Sequence, residues 1–334
     1  MKNETAPKSP AKKKTALPAP AEMKEMMREF VTMLGGGDET VAEEDLDALM
    51  NSLQAPSAYD GLSDEEADAK NEAQQIAFDA MEAESETQAR KLTKRALKLD
   101  PDCVDALVVM TRLEARTPRD VIEGLQKAVE AGERSLGAKF IQENEGHFWM
   151  LIETRPWMRA MEELAAALKG AGLHMDAIRI YERMLKLNPN DNQGVRDPLL
   201  GLYLAVNDLM GAGRLLNAYK RDAMANFAWG RVLERFLASD HAAARAALKK
   251  ARKANQFVEL YMTAKMPIPE ELPDMYSPGS QEEAVFCMDA VGFAWGQHKE
   301  AVVWLLDQCA VDGVGSVPTK RTLVKTRAAG KKVQ

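Results

Sequence analysis

The sequence predicts an all-α protein built from antiparallel helical hairpins, and three observations support this fold class. Residues 96–102 (ALKLDPD) and 184–190 (MLKLNPN) are near copies, and each ends an amphipathic helix at an Asp-Pro or Asn-Pro pair. Aromatic residues make up only 6% of the 334-residue chain. Alternating runs of Val, Ile, Thr and Tyr, which would predict strands, are absent from the sequence. A recurring helix end in such a chain is typical of a helical repeat.

The first hairpin is predicted to begin near Ser63. Ser63 and Glu66 form a capping-box pattern, in which the serine oxygen accepts a hydrogen bond from a free backbone N–H and the glutamate reaches back. Ser85 and Gln88 predict the start of a second helix. That helix must end before Pro101, because proline cannot continue a helix and disfavours helical geometry in the preceding residue. Together the two helices predict one hairpin of about 34 residues.

Two further hairpins follow the same pattern. One is predicted over residues 158–191 and ends at Pro189, and another covers residues 225–258. Small residues lie at equal distances before Pro101 and Pro189, which predicts where the paired helices approach closely. These residues are Ala77 and Ala89 in the first hairpin and Ala165 and Ala177 in the second, and Gly172 is assigned the same role.

An irregular insert is predicted between the two matching hairpins. Pro101 and Pro189 are 88 residues apart, which is not a multiple of the repeat length. Thr117 and Pro118 predict a helix start, as a cap followed by proline at the first helical position, with a helix over residues 121–131. The insert then continues into an aromatic stretch at residues 147–157.

The aromatic stretch allows two interpretations. In the first, Phe148, Trp149 and Trp157 pack where a non-standard segment joins two hairpins. In the second, Arg155 and Arg159 lie beside exposed aromatic rings and bind an acidic peptide or a terminal carboxylate, because the arginine fork matches a carboxylate. Their four-residue spacing places both arginines on one face if a single helix contains Pro156.

The alternation of small and bulky residues before a terminal proline resembles the tetratricopeptide repeat. This resemblance implies a right-handed superhelix of antiparallel hairpins over residues 63–309. Residues 153–160 (ETRPWMRA), 188–194 (NPNDNQG) and 272–280 (LPDMYSPGS) resemble bacterial relatives of the suppression-of-tumorigenicity protein family. That likeness covers roughly residues 65–305 and implies a tetratricopeptide-like fold without a defined catalytic activity. The membrane association of animal members is not carried over.

Charge is distributed unevenly along a chain whose net charge is −7. Residues 1–62 are predicted to be mostly disordered, and fifteen acidic residues fall between Asp38 and Glu84. Residues 310–334 are predicted to form a disordered tail, which has six basic and no acidic residues after position 312. The simple interpretation is a solvated acidic linker and frayed tails. The alternative is that the basic residues contact the acidic segment or an anionic partner such as RNA.

Two short segments within residues 1–62 have amphipathic character. Residues 22–34 (EMKEMMREFVTML) are rich in methionine at helical spacing, and residues 43–53 are similar. Such segments are too short to be stable alone. We expect residues 22–34 to dock on the hairpins of the same chain or on a partner, or else to fold loosely against the edge of the domain.

The sequence contains no recognisable catalytic, cofactor or metal motif. The four histidines lack partners at metal-ligand spacing, and phosphate-binding and nucleophile-elbow patterns are absent. The three cysteines are far apart and are interpreted as reduced core residues of a cytoplasmic protein. No apolar run is long enough to cross a membrane, and the lysines near the start are not followed by a signal-peptide core. We therefore predict a non-enzymatic protein without cofactor or metal.

The predicted function is a scaffold that binds a protein or peptide in the concave groove of the hairpin array. If the repeat register holds, basic and aromatic side chains point into that groove, although an ordinary solvated inner face is the alternative. An RNA- or ribosome-associated factor that uses its basic tails is the second functional hypothesis. The groove candidates are Arg155, Arg159, Lys169, Arg196 and Tyr203.

Overall fold

A computed structural model describes residues 57–269 and 271–311 of the chain. Within these ranges all regular structure is helical, which confirms the predicted all-α class. Short 3-10 turns lie at Phe148–Met150 and Ile152–Thr154, and a π-helical turn lies at Met288–Gly292. The helices are α1 (Asp64–Met81), α2 (Glu86–Leu99), α3 (Val104–Glu114), α4 (Pro118–Leu136), α5 (Ala138–Glu143), α6 (Arg155–Gly170), α7 (His174–Leu187), α8 (Arg196–Ala205), α9 (Leu209–Ala218), α10 (Ala225–Leu237), α11 (His241–Ala254), α12 (Phe257–Met262), α13 (Gln281–Cys287), α14 (Phe293–Gln297) and α15 (Lys299–Val311).

The predicted helix starts are confirmed where capping residues define them. Ser63 caps α1 and forms the reciprocal capping box with Glu66. The Ser85 side chain accepts a hydrogen bond from the Gln88 N–H at the start of α2. Thr117 caps α4 directly before Pro118, although that helix continues to Leu136, beyond the predicted residues 121–131. Caps are readable from the sequence because each involves residues only two or three positions apart.

Consecutive helices pack as hairpins. The pairs are α1 with α2, α3 with α4, α6 with α7, α8 with α9, and α10 with α11. Lys70, near the start of α1, contacts Asp100 at the end of α2 (Nζ–Oδ2 3.2 Å), so these two helices are antiparallel. The first helix of a hairpin also packs on the hairpin before it: α3 contacts α1 and α2, α6 contacts α3 and α4, and α10 contacts α8 and α9.

Small buried residues allow the paired helices to approach closely. Ala77, Ala165 and Ala177 are completely buried, and Ala89 is nearly so, as their spacing predicts. The assignment of Gly172 to this group is wrong. Gly172 lies in the turn after α6 with φ +76°, and no atom lies within 4 Å of the position where a Cβ would stand. Gly172 thus provides a left-handed turn, which glycine adopts without strain.

The aromatic insert packs between the second and third hairpins. Phe148 and Trp157 are buried with their ring centroids 5.7 Å apart, and the Trp157 indole N–H donates to the Val129 carbonyl (3.0 Å). Gly132 makes room for the Trp157 ring, since a Cβ there would lie 2.4 Å from Cδ1. Helix α6 begins at Arg155, three residues before the predicted unit, with Pro156 in its first turn. For these two rings, the packing interpretation is confirmed.

After α11 the hairpin pattern gives way to short helices that fold back onto α8 and α10. The π-helical turn contacts α8, where the Cβ of any residue replacing Gly201 would lie 1.9 Å from the Ala290 carbonyl oxygen. Trp229 of α10 and Trp295 of α14 are both buried, with centroids 6.3 Å apart. This segment therefore extends the core of the fourth and fifth hairpins.

Two further sequence predictions can be compared with the described residues. Cys103, Cys287 and Cys309 are free thiols in the core, as expected from their spacing. None of the described helices has the length and apolar character needed to cross a membrane. The segments at 22–34 and 43–53, and the basic residues after position 312, lie outside the described residues, so their predicted roles stay predictions.

Candidate functional site

An open cleft of about 670 Å³ lies between the end of α7 and the loop that joins α9 to α10. One predicted groove residue, Arg196, contributes to it. The loop supplies most of the remaining wall, and the Asn-Pro corner that ends the second predicted hairpin closes the other side. The residues that line the cleft include Pro189, Arg196, Tyr219, Lys220, Arg221 and Asp222.

Arg196 forms the floor of the cleft and is neutralised there. Its guanidinium contacts Asp191 (Nη1–Oδ2 3.2 Å) and Asp222 (Nη2–Oδ2 2.9 Å). The same group lies 5.1 Å from the Tyr219 ring centroid and 5.9 Å from that of Phe227. Because both carboxylates are nearly inaccessible to water, this network ties α8 to the neighbouring loops.

The rim of the cleft has two cations that are free of ion pairs. Lys220 and Arg221 are exposed, and within the described residues neither side chain lies within salt-bridge distance of an acid. Tyr219 stands beside them, and its hydroxyl donates to the Pro189 carbonyl (2.8 Å). The cleft thus combines an aromatic wall with two exposed positive groups, an arrangement suited to a carboxylate ligand.

A buried carboxyl group lies directly behind the cleft floor. Asp197 Oδ2 accepts a hydrogen bond from the Asn226 amide (2.7 Å), while its Oδ1 is buried and lacks a partner in the described part of the chain. Burial raises the pKa of Asp197 to about 6, against the opposing effects of the Asn226 hydrogen bond and the Arg196 charge. Asp197 therefore titrates in a range where ordinary aspartates are already ionised.

This shift predicts a pH dependence of stability. A carboxyl group whose pKa is higher in the folded than in the unfolded chain takes up a proton on folding, so its contribution is present below pH ~4 and is lost as the pH rises through about 6. Relative to Asp197→Asn, the wild type should lose about 1 kcal/mol of unfolding free energy between pH 5 and pH 7. Urea titrations of both proteins at several pH values measure this difference. Parallel stability curves for the two proteins would contradict the assignment.

The other predicted groove residues are each engaged within the chain. Arg159 pairs with the buried Asp105, while the Arg155 guanidinium donates to the Trp149 carbonyl and lies 5.2 Å from the centroid of that ring. Arg155 and Arg159 both belong to α6, so a single helix contains them together with Pro156, as their predicted position on one face requires. Arg155 therefore lies beside a ring that is only half-buried, while the binding of an acidic peptide or terminal carboxylate by Arg155 and Arg159 stays a prediction.

Lys169 and Tyr203 also have partners. Lys169 donates to the Asp289 carbonyl (3.2 Å) and lies 4.9 Å above the Phe293 ring, so it anchors the π-helical turn. The Tyr203 hydroxyl donates to Glu182 Oε1 (2.5 Å). Among the described residues, no hydrogen bond, ion pair or ring contact joins any two of the five predicted residues. Their role as one ligand-binding groove stays a prediction.

Sequence reasoning missed Lys220 and Arg221. A usable signal was present, since two adjacent cations follow Tyr219 in a short polar stretch. Adjacent residues on a helix do not share a face, whereas a loop can direct both toward one cleft. The importance of the pair depends on the loop geometry, which is a tertiary property.

No group of three or more His, Cys, Asp or Glu side chains suited to holding a metal ion occurs within residues 57–269 and 271–311. No protein-family model matches the chain, and no curated protein is similar enough in sequence to count as a relative. The resemblance to tetratricopeptide repeats and to the suppression-of-tumorigenicity family therefore stays a hypothesis based on the residues quoted above.

Proposed function

We propose that the protein is a non-enzymatic, cytoplasmic scaffold that binds an acidic peptide segment of a protein partner in the Arg196 cleft. The observation that carries this proposal is the pair of exposed cations at the rim of an open cleft with an aromatic wall. Neither Lys220 nor Arg221 forms an ion pair with any residue that the structure describes. A carboxylate side chain of the partner would form charge-assisted hydrogen bonds with these two groups. Tyr219 would contact the side chains that neighbour this carboxylate in the partner.

We further propose that the hairpins form a tetratricopeptide-like right-handed superhelix. Support comes from the hairpin pairing, the Asp-Pro and Asn-Pro corners, and the packing of α3, α6 and α10 on the hairpin before each. Each unit of such an array is stabilised mainly by its neighbours. In this arrangement an open cleft between adjacent units is a natural place for an extended segment to bind.

A charge-reversal experiment tests the proposed cleft. The double variant Lys220→Glu/Arg221→Glu should abolish capture of the protein's partners from cell extract, because it places two negative charges where a carboxylate would bind. The matched control is Arg116→Glu/Lys127→Glu, which changes the same residue types at exposed positions on and before α4. Quantitative mass spectrometry of the captured proteins compares the three baits.

The two variants also separate binding from folding. All four positions are exposed, so both variants should keep the circular dichroism spectrum and melting temperature of the wild type. Identical partner sets for the two variants would reject the cleft as the binding site. The second hypothesis, an RNA- or ribosome-associated factor that uses its basic tails, concerns basic residues outside the described ranges and stays a prediction.

A further inference from the structure

Helix α11 has an outer face of exposed, unpaired cations. The helix contains five Lys or Arg residues and no Asp or Glu. Arg252 is engaged by Glu259, whereas the other four cations are exposed and lie beyond salt-bridge distance of any acid in the described ranges. These four residues, called the α11 basic face below, are Arg245, Lys249, Lys250 and Lys253.

The hairpin partner of α11 does not compensate the charge of the four cations. Its hairpin partner α10 has one acid, Glu234, which already lies beside Arg231 and Arg235 (4.0 and 3.2 Å). Helix α2 is the informative comparison, because Lys94 and Lys98 repeat the four-residue spacing of exposed lysines. However, α2 packs against α1, which has six acidic residues. In a chain of net charge −7, the α11 basic face is thus a local concentration of positive potential.

The end of the described chain lies beside Arg252 of α11. The Cys309 thiol near the end of α15 donates to Glu259 Oε1 (3.0 Å), and Arg252 of α11 donates to the same oxygen (2.7 Å). Residues 313–334 follow two positions after Val311 and contain six basic residues and no acid.

We infer that the α11 basic face binds the phosphodiester backbone of double-stranded nucleic acid. The four cations fall within about 12 Å of helix axis, at 1.5 Å per residue. Each strand of a duplex presents about one negative charge per 3.4 Å along the axis, which is close to the spacing of these cations. The inference is independent of the acidic-peptide cleft.

Features of the same face argue against other anionic partners. Apart from the cations, the exposed residues of α11 are His241 and alanines at 242 and 246. The His241 ring lies 5.1 Å from the Phe236 ring and is used internally. Without exposed aromatic rings the face cannot stack unpaired bases, and without large apolar side chains it cannot insert into a lipid interface. The face can still contact the phosphate backbone of a duplex. Because such contacts do not read the bases, we expect binding with little sequence preference.

Fluorescence anisotropy with labelled duplexes tests the inference. The probes are a 20-base-pair RNA and a DNA of the same sequence, each titrated with the full-length chain at several salt concentrations. Lys249→Gln/Lys253→Gln should weaken binding between about tenfold and a hundredfold at 0.1 M salt and reduce the log–log salt slope by about 2. Lys94→Gln/Lys98→Gln on α2 is the matched control and should leave both quantities unchanged. Glutamine is a good helix former, so neither variant should unfold.

Four outcomes would overturn the inference. The first is the absence of binding by the wild type at 50 mM salt, and the second is equal weakening by the α11 and α2 variants. The third is displacement of the duplex by equimolar polyglutamate, which would indicate an acidic protein partner. The last is a loss of affinity with Lys320→Gln/Arg321→Gln but none with the α11 variant, which would assign binding to the tail alone.

Discussion

Arg159→Ala is expected to lower the free energy of unfolding by about 3 kcal/mol, because it leaves the Asp105 carboxylate buried without its cation. Asp105 is only 1% exposed, and Arg159 contacts it through Nη2–Oδ2 (2.5 Å) and Nε–Oδ1 (3.3 Å). The value lies at the low end for a broken buried pair, since Gln74 still donates to Asp105 (2.7 Å) and Arg159 is partly accessible to water.

Urea unfolding of the wild type and the variant measures this loss. Arg95→Ala, which breaks the exposed pair with Glu72, is the control and should change stability by no more than about 0.5 kcal/mol. Adding Asp105→Asn to Arg159→Ala should recover part of the loss, because the uncompensated charge is removed. Equal, small effects of the two arginine substitutions would show that the Asp105 pair does not stabilise the fold.

This expectation bears on any test of the predicted groove. A charge reversal at Arg159 or Arg196 places a negative group beside a buried carboxylate, so loss of a partner could reflect loss of folding. Lys220 and Arg221 avoid this difficulty because both are exposed and unpaired in the described residues. They are therefore the better positions at which to separate binding from stability.

Gly201→Ala is expected to destabilise the protein by about 2–3 kcal/mol. The new Cβ would lie 1.9 Å from the Ala290 carbonyl oxygen and 2.9 Å from Cε1 of Phe293. The Ala290 oxygen belongs to the backbone, so the steric clash can be relieved only if α8 and the π-helical turn move apart. That separation would disturb the contacts of Lys169 with Asp289 and Phe293.

Gly213→Ala on α9 is the matched control and should change stability in the opposite direction. No atom lies within 4 Å of the corresponding Cβ position, so the substitution only replaces glycine with a better helix former. A gain of up to about 1 kcal/mol is expected. Thermal and urea unfolding of the two variants measures both changes in stability. A stabilising effect of Gly201→Ala would disprove the close approach of α8 and the π-helical turn.

Much of the helical framework could be read from the sequence. Ser63, Ser85 and Thr117 start helices as predicted, and the helix before Pro101 ends where proline requires. These features depend on residues a few positions apart, so their physical causes are contained in short segments. The irregular insert was also predictable, because the 88-residue separation of Pro101 and Pro189 does not fit the repeat length.

The candidate sites were less accessible to sequence reasoning. The five predicted groove residues were chosen for residue type and helix position, and each has an intramolecular contact in the structure. Gly172 and Gly201 show the same limit, since one glycine serves a turn and the other a close helix contact. The sequence does not distinguish these roles, because the neighbour that decides them is distant along the chain.

The sequence by itself determined that the chain is helical, where its main helices start, and that its charge is segregated. Only the tertiary structure decided which cations are neutralised. Arg159 and Arg196 meet buried carboxylates, whereas Lys220, Arg221 and the α11 basic face pair with no acid within the described residues. Helix starts follow from local hydrogen bonding and backbone geometry. The availability of a charge for binding depends on groups brought near it through space, and therefore on the packing of the whole array.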